Sequence, residues 1–378
     1  MRSMLGLVFL GSLVLGGCSG AEGGGLRRTA GGAPAEGSGE TTTTPTTNAP
    51  SPSTAVACPS DVPSPKQLSA APDVADVRFS NGDVIYRDGK KVLRTKKDGT
   101  GTTELYANDL LVRSYADDTS IVTIEETPGD PSAVIKITPS GAAGTAGGKL
   151  GDGLSLTLTP GWNAAGTYVF ASDTDSLFFL ADVPNQGDTI YKVSKQGLTM
   201  QLLAQLGAPL TDPLLAGNDV WFVRDGRRIY KVVQNEADEG GPALGGPGTA
   251  DPPKEVFAMG YAACRLAVGG NKAYCSTGAA LETRDLSGAN VATVLEGAKA
   301  KAPFMLGPAT YTDTLFLRTL PSTQTDPLKH GIRAVKVDGA SAAEKTIACG
   351  REAIGSFVAD ASIVVWAEKG KGLFSAPR

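Results

Sequence analysis

One histidine, His330, stands among 378 residues. A single imidazole excludes His-rich metal sites. It also weakens any Ser-His-Asp apparatus, since no Gly-x-Ser-x-Gly elbow accompanies it. Charged residues make up only 20% of the chain, far below the share of a coiled coil or long helical bundle. No stretch of helical length carries a 3.6-residue amphipathic pattern. No apolar run reaches the roughly 20 residues that span a bilayer. The formal charge is −4 and the pI near 5.3, which argues against a nucleic-acid binder.

What the chain has is glycine and proline, 48 and 24 residues. Together they are about 19% of the chain, against roughly 12% in average usage. Glycine shows no three-residue period, so collagen is excluded. Many short strands joined by turns, plus one flexible stretch, account for the excess.

The amino terminus has one cation, Arg2, then an apolar run, then Leu15-Gly16-Gly17-Cys18. This is the layout of a secretory signal, residues 1–17. The four-residue site resembles a bacterial lipobox. That resemblance implies cleavage before Cys18 and acylation of its thiol, with firm anchoring by two or three chains. Ser19, where an Asp would favour inner-membrane retention, points to the outer membrane of the cell envelope. Residues 18–57 hold Gly23-Gly24-Gly25, Thr41-Thr42-Thr43-Thr44 and Pro45, Pro50 and Pro52. Nothing there can build a core, so the segment reads as a tether reaching on the order of 35 Å.

Residues 58–378 read as one domain. From about Asp73 a three-part phrase recurs, centred on apolar triplets. They are Val84-Ile85-Tyr86, Val122-Thr123-Ile124, Phe178-Phe179-Leu180, Trp221-Phe222-Val223, Ala273-Tyr274-Cys275, Leu315-Phe316-Leu317 and Val364-Val365-Trp366. The mean period is about 47 residues, close to that of propeller blades. A further strand follows each triplet, as in Ile190-Tyr191-Lys192-Val193, and a fourth is readable in six copies, as in Met200-Gln201-Leu202-Leu203. Four short strands per unit predict an all-β fold, a β-propeller of seven blades, with a six- or eight-bladed ring or a β-sandwich as the alternatives. The seventh copy stops at Arg378 one strand short. The segment Pro65-Lys66-Gln67-Leu68-Ser69-Ala70 is the expected closing strand.

Asp219-Val220-Trp221-Phe222 followed by Arg228-Ile229-Tyr230-Lys231-Val232 resembles bacterial lipoproteins with propellers of the TolB-like and YWTD-like kind. The resemblance spans roughly residues 73–378 and implies a binding role more than an activity. No Tyr-Trp-Thr-Asp sequence occurs, so a receptor-type role does not carry over. The three tryptophans do not recur at one repeat position, which argues against a quinone-dependent dehydrogenase.

With Cys18 lipidated, four cysteines remain for an oxidising compartment. Cys264 and Cys275 are expected to oppose each other across a two-residue turn at Gly269-Gly270 and to form a disulfide. Cys58 is then expected to pair with Cys349 and staple the seam.

The turns Asn81-Gly82-Asp83, Asp117-Asp118, Asp173-Thr174-Asp175 and Asn218-Asp219 share one place in the repeat. Turn chemistry explains them without a metal. The Gly-rich run from Gly240 reads as a loop insert, Lys96-Lys97 as a solvated turn, and His330 as a loop residue. The functional lead is a set of charges where the second strand ends: Arg87, Asp88, Glu125, Glu126, Asp182, Arg224, Asp225 and Glu368. A ring of such charges at a channel mouth suits a polar ligand or a partner's loop. The leading expectation is a monomeric, non-catalytic binder of a protein, peptide or glycan, with no cofactor and no metal. The alternative is a metal-dependent, lactonase-like hydrolase using channel carboxylates.

Overall fold

In the computed structural model the described residues are 60–140, 156–196, 199–206, 210–233, 253–259, 264–269, 271–276, 280–296, 305–311, 314–319, 330–336, 343–351 and 354–378. The chain divides into two units, Met1–Pro52 and Ser53–Arg378, and all described residues belong to the second. Cys18 and the rest of the expected signal and tether lie outside them, as does Cys58.

The described residues are strands and turns throughout. After β1 (Lys66–Ser69) comes a first group, β2 (Val74–Ser80), β3 (Asp83–Asp88), β4 (Lys91–Thr95) and β5 (Thr103–Ala107). The second is β6 (Leu111–Ala116), β7 (Ser120–Thr127), β8 (Asp130–Pro139) and β9 (Leu156–Leu158). The third is β10 (Asn163–Ser172), β11 (Ser176–Val183), β12 (Gly187–Ser194) and β13 (Met200–Gln205). The fourth is β14 (Leu210–Ala216), β15 (Asp219–Arg224), β16 (Arg228–Val233) and β17 (Lys254–Ala258). The fifth is β18 (Arg265–Gly269), β19 (Lys272–Ser276), β20 (Ala280–Asp285) and β21 (Ala292–Glu296). The sixth is β22 (Met305–Tyr311), β23 (Thr314–Thr319), β24 (His330–Lys336) and β25 (Ala343–Arg351). The last is β26 (Ile354–Ala359), β27 (Ile363–Glu368) and β28 (Gly372–Pro377).

Each group is an antiparallel sheet in chain order. A single bridge, Asn163 to Ser132, joins the second and third. β1 pairs antiparallel with β28, so the last sheet reads β1-β28-β27-β26. The first strands touch in succession, β2 on β6, β6 on β10, and so on to β26, which packs back on β2.

The apolar triplets follow from this stacking. Alternate residues of a strand face opposite sides of its sheet. Here both sides are covered, so the middle of the second strand is mainly apolar on both faces. In β11, Leu177, Phe179 and Ala181 pack toward the second group. Phe178 and Leu180 pack toward the fourth. Fully burying one such Phe contributes about 1.5–3 kcal/mol. The same layering recurs between the sixth and last sheets around Trp366 and Phe357. It recurs again between the last and first around Leu68, Val77 and Tyr86.

Two expectations need correction in detail. Cys264 and Cys275 form a disulfide with Cα atoms 5.4 Å apart. Their strands pair two residues out of the expected register, however. Gly269 pairs with Lys272 and Leu266 with Cys275. The turn therefore lies between Gly269 and Lys272, and Cys264 sits just before β18, diagonal to its partner. His330 opens β24, paired with Arg351, rather than lying in the loop. Cys349, on β25, is disulfide-bonded. The insert around Gly240 lies outside the described residues.

Candidate functional site

Antiparallel order places the start of strand one and the turn between strands two and three at the same end of each sheet. This upper end carries all the charges expected to form a ring. Register puts four of them at one height: Glu125 opposite Leu111, Asp182 opposite Asn163, Arg224 opposite Leu210 and Glu368 opposite Ile354. Arg318, opposite Met305, holds the same height in the sixth sheet.

Several of these side chains turn inward and tie sheets together. Glu125 is only 4% exposed. It accepts from Asn108 Nδ2 at 2.6 Å and from the Tyr106 hydroxyl, and pairs with Lys136 Nζ at 3.0 Å. Burial opposes the Lys136 charge, but the hydrogen bonds to Tyr106 and Glu125 outweigh it and push the ammonium up. Glu368 is fully buried. Its Oε1 accepts from Arg351 Nε at 2.5 Å and Trp366 Nε1 at 2.8 Å. Asp182 accepts from Asn163 Nδ2 at 3.0 Å. Gly166 lies against that carboxylate so closely that a Cβ there would stand 2.6 Å from Asp182 Cβ.

Arg87 donates from Nε to Asp76 Oδ2 at 2.7 Å and from Nη1 to Gly89 O at 2.9 Å. Asp76 also accepts from the Ser114 amide of the next sheet at 3.0 Å. The Asp88 Oδ1 accepts from the Asp73 amide at 3.2 Å. Glu125, Glu368 and Arg87 are thus mainly fasteners, which qualifies the expectation that they line a mouth. The charged side chains exposed at this end include Asp225, Arg227 and Lys369, together with Asp73, Lys90, Asp109 and Asp130, while Glu126 and Arg224 are half-buried. The Arg224 Nε has no hydrogen-bond partner.

Sequence reasoning missed Asp76, Lys136, Arg318 and Arg351. Asp76 sits at a bulge in β2, where register shifts between Ala75 and Arg78, with φ +52°. The positive φ aims its carboxylate at Arg87 and Ser114, a device no local pattern announces. Arg318 donates to Ile354 O and to Gly355 O across the boundary with the last sheet. Burial, and then the neighbouring Arg265 charge, lower its guanidinium.

The lower end carries the acidic turns, and their oxygens are used within the chain. Asp117 Oδ1 accepts from the Thr119 and Ser120 amides at 2.8 and 2.7 Å. Asp360 Oδ1 accepts from the Ser362 and Ile363 amides at 2.7 and 3.0 Å. A lysine of the following sheet clamps each second oxygen: Lys195 reaches Asp117 at 2.9 Å, and Lys97 reaches Asp360. Lys96-Lys97 is therefore half fastener, not merely a solvated turn. Burial alone would raise both carboxyls. Hydrogen bonds from Ser172, Lys195 and Thr119 to Asp117, and from Lys97, Ile363 and Ser362 to Asp360, outweigh it and hold each at about 2.

Each carboxyl, ordinarily near 3.8, therefore stabilises the fold above about pH 4. That contribution fades as the pH falls from about 4 through 2. After allowance for solvent screening it is on the order of 1 kcal/mol per clamp. Urea unfolding between pH 5 and 2 is expected to show this loss, and Asp117→Asn to flatten it. An unchanged slope in that variant would count against the clamp.

Among the described residues no three His, Cys, Asp or Glu side chains gather as metal ligands would.

No family model matches the sequence, and no curated protein matches it. Solved structures do match. A catalytically inactive virginiamycin B lyase from Staphylococcus aureus with quinupristin aligns at TM-score 0.56 and 12% identity, covering 83% of this chain and 98% of that one. The β-propeller domain of the Trilobed protease from Pyrococcus furiosus aligns at TM-score 0.50 and 12% identity, covering 80% and 94%. The fold is a β-propeller. YCF48 bound to D1 peptide aligns at TM-score 0.52 and 10% identity, covering 83% and 96%. At such identities the likeness carries the architecture alone. Each four-stranded sheet is then a blade, and the upper end is where its outward charges are presented.

Proposed function

We propose that this protein is a lipid-anchored propeller of the bacterial outer membrane that binds a protein, peptide or glycan through its upper face. Cys18 carries the lipid, residues 18–57 form the tether, and the propeller begins at Cys58. Seven blades form the ring and β1 closes it. The observation that carries the binding role is the division of labour at the upper end. Glu368 is locked to Arg351 of the sixth blade, Glu125 to Tyr106 of the first, and Arg87 to Asp76, which holds the Ser114 amide of the second, and this holds Asp225, Arg227 and Lys369 outward on a stiff frame. Preorganised polar groups of this kind lose little entropy on binding. The complex of YCF48 with a peptide supports the same use of the fold.

A photocrosslinking side chain at Asn185, an exposed upper turn, tests the role in intact cells. A discrete adduct is expected from Asn185 and none from Ser362, an exposed lower turn. Equal adducts from both, or none from either, would overturn the reading. Fatty-acid labelling tests the anchor separately, since Cys18→Ser is expected to abolish the label.

A further inference from the structure

The first strands form the innermost circle, each touching the next, with the second strands bonded to their outer side. Neighbouring blades cover their faces, so a half-buried side chain there meets water along the central axis. Two arginines stand on this wall, Arg78 of β2 and Arg113 of β6, both half-buried. Each lies over a tyrosine of the next first strand. The Arg78 guanidinium is 5.1 Å from the centre of the Tyr115 ring, and that of Arg113 is 5.8 Å from Tyr168. Arg113 and Tyr115 are two residues apart on β6 and share a face, about 7 Å from each other along the strand. The guanidinium above Tyr115 is therefore a neighbour of Arg113. Neither is neutralised. The Arg78 Nη1 donates to Val77 O at 3.2 Å, and Arg113 has no hydrogen-bond partner among the described residues, its Nε being buried. A guanidinium drawn this far from water ordinarily has a carboxylate beside it. The Asp76 carboxylate on the same wall is held by Arg87 and the Ser114 amide, and Asp182, against Gly166, is held by Asn163.

We propose that Arg78 and Arg113 form an anion site on the channel wall that takes a small dicarboxylate, one carboxylate to each guanidinium. The site goes beyond the upper-face partner and does not depend on it. A guanidinium fork matches a carboxylate two oxygens at a time. The tyrosine rings hold each fork by its flat face and leave the N–H edges for the acid. Two cations set several ångströms apart suit two separate charges better than a single phosphate. The first-strand residues that reach water near the upper ends of their strands are small. They are Ala165 and Gly166 of β10, Thr211 of β14 and Gly355 of β26, all exposed. They leave a passage to the arginines from the upper end.

The test is calorimetry of the full-length protein in detergent, with succinate as the probe in a low-salt zwitterionic buffer near neutral pH. Saturable binding of one succinate per chain is expected, with acetate about 10-fold weaker or more for want of the second carboxylate. Arg113→Gln and Arg78→Gln are each expected to weaken succinate about 10-fold or more, as losing one charged hydrogen-bonded pair does. Arg113 has no hydrogen bond to lose, so its variant should keep the native melting temperature. Lys345→Gln removes an exposed cation from β25, an outer strand, and should bind as the native chain does. No saturable binding, native-like binding by either folded arginine variant, or an equal loss in Lys345→Gln would overturn the proposal. Tighter binding of phosphate than of succinate would overturn it too, in favour of a phosphate site. The Asn185 adduct is read separately. An adduct without succinate binding sinks this inference alone, and succinate binding without an adduct sinks the upper-face reading alone.

Discussion

Gly372→Ala is expected to destabilise the propeller by about 3 kcal/mol or more. Gly372 opens β28 at φ +123°, where a side chain is strained. The larger cost is contact. A Cβ there would stand 2.0 Å from Ser69 O and 3.1 Å from Ala70 Cα. Both atoms belong to the backbone, so no rotamer relieves the clash. β1 must withdraw, and with it go the pairing of Lys66 with Ser375 and the bond from Gln67 Nε2 to Lys371 O at 2.8 Å. Leu68, now 6% exposed between the last and first blades, would meet water at a further cost of about 1.5–3 kcal/mol. Gly370→Ala is the matched control. Its φ is +74° and nothing lies within 4 Å of the added atom, so only backbone strain of about 1 kcal/mol is expected. Guanidinium unfolding measures both, and limited proteolysis should cut the Gly372→Ala protein near β1. If the two variants unfold at the same denaturant concentration, β1 does not hold the ring as argued.

That outcome bears on what a linear reading can see. Strands two, three and four were legible because stacked sheets bury both faces, as the runs Leu177-Phe178-Phe179-Leu180 and Val220-Trp221-Phe222-Val223 show. The partner of β28 was legible as well, since the last repeat shows three strands and the segment at Lys66-Gln67-Leu68-Ser69 precedes the first. First strands were harder. β2 is bulged between Ala75 and Arg78, and β14 between Thr211 and Leu214, so their alternation is broken. The hairpin register at Cys264 and Cys275 was missed by two residues, because two glycines and an asparagine offer two turns of equal length. The upper charges were visible as residues, but not which of them bind one another. Lys136 and Glu125 are joined by a strand pair, and Arg351 and Glu368 by blade stacking. Such partners are set by the third dimension.

Glu368 is where the two roles of an upper charge separate most sharply. Glu368→Ala is expected to cost about 3–5 kcal/mol, as breaking one member of a buried ion pair does. The residue and its neighbour Trp366 are fully buried. Removing the carboxylate leaves Arg351 Nε and Trp366 Nε1 without the oxygen they share. The guanidinium also lies 4.6 Å over the Phe374 ring, so it cannot swing to water without giving up that packing. Glu368→Gln keeps an oxygen for both donors and changes the volume little, so about half the loss is expected from it. Denaturant midpoints of the two variants, read beside crosslinking from Asn185 under conditions where each is folded, divide stability from recognition. Binding should then be nearly native in Glu368→Gln. A Glu368→Ala protein that unfolds like the native one, yet loses the Asn185 adduct, would make this carboxylate a ligand contact and not a fastener between blades.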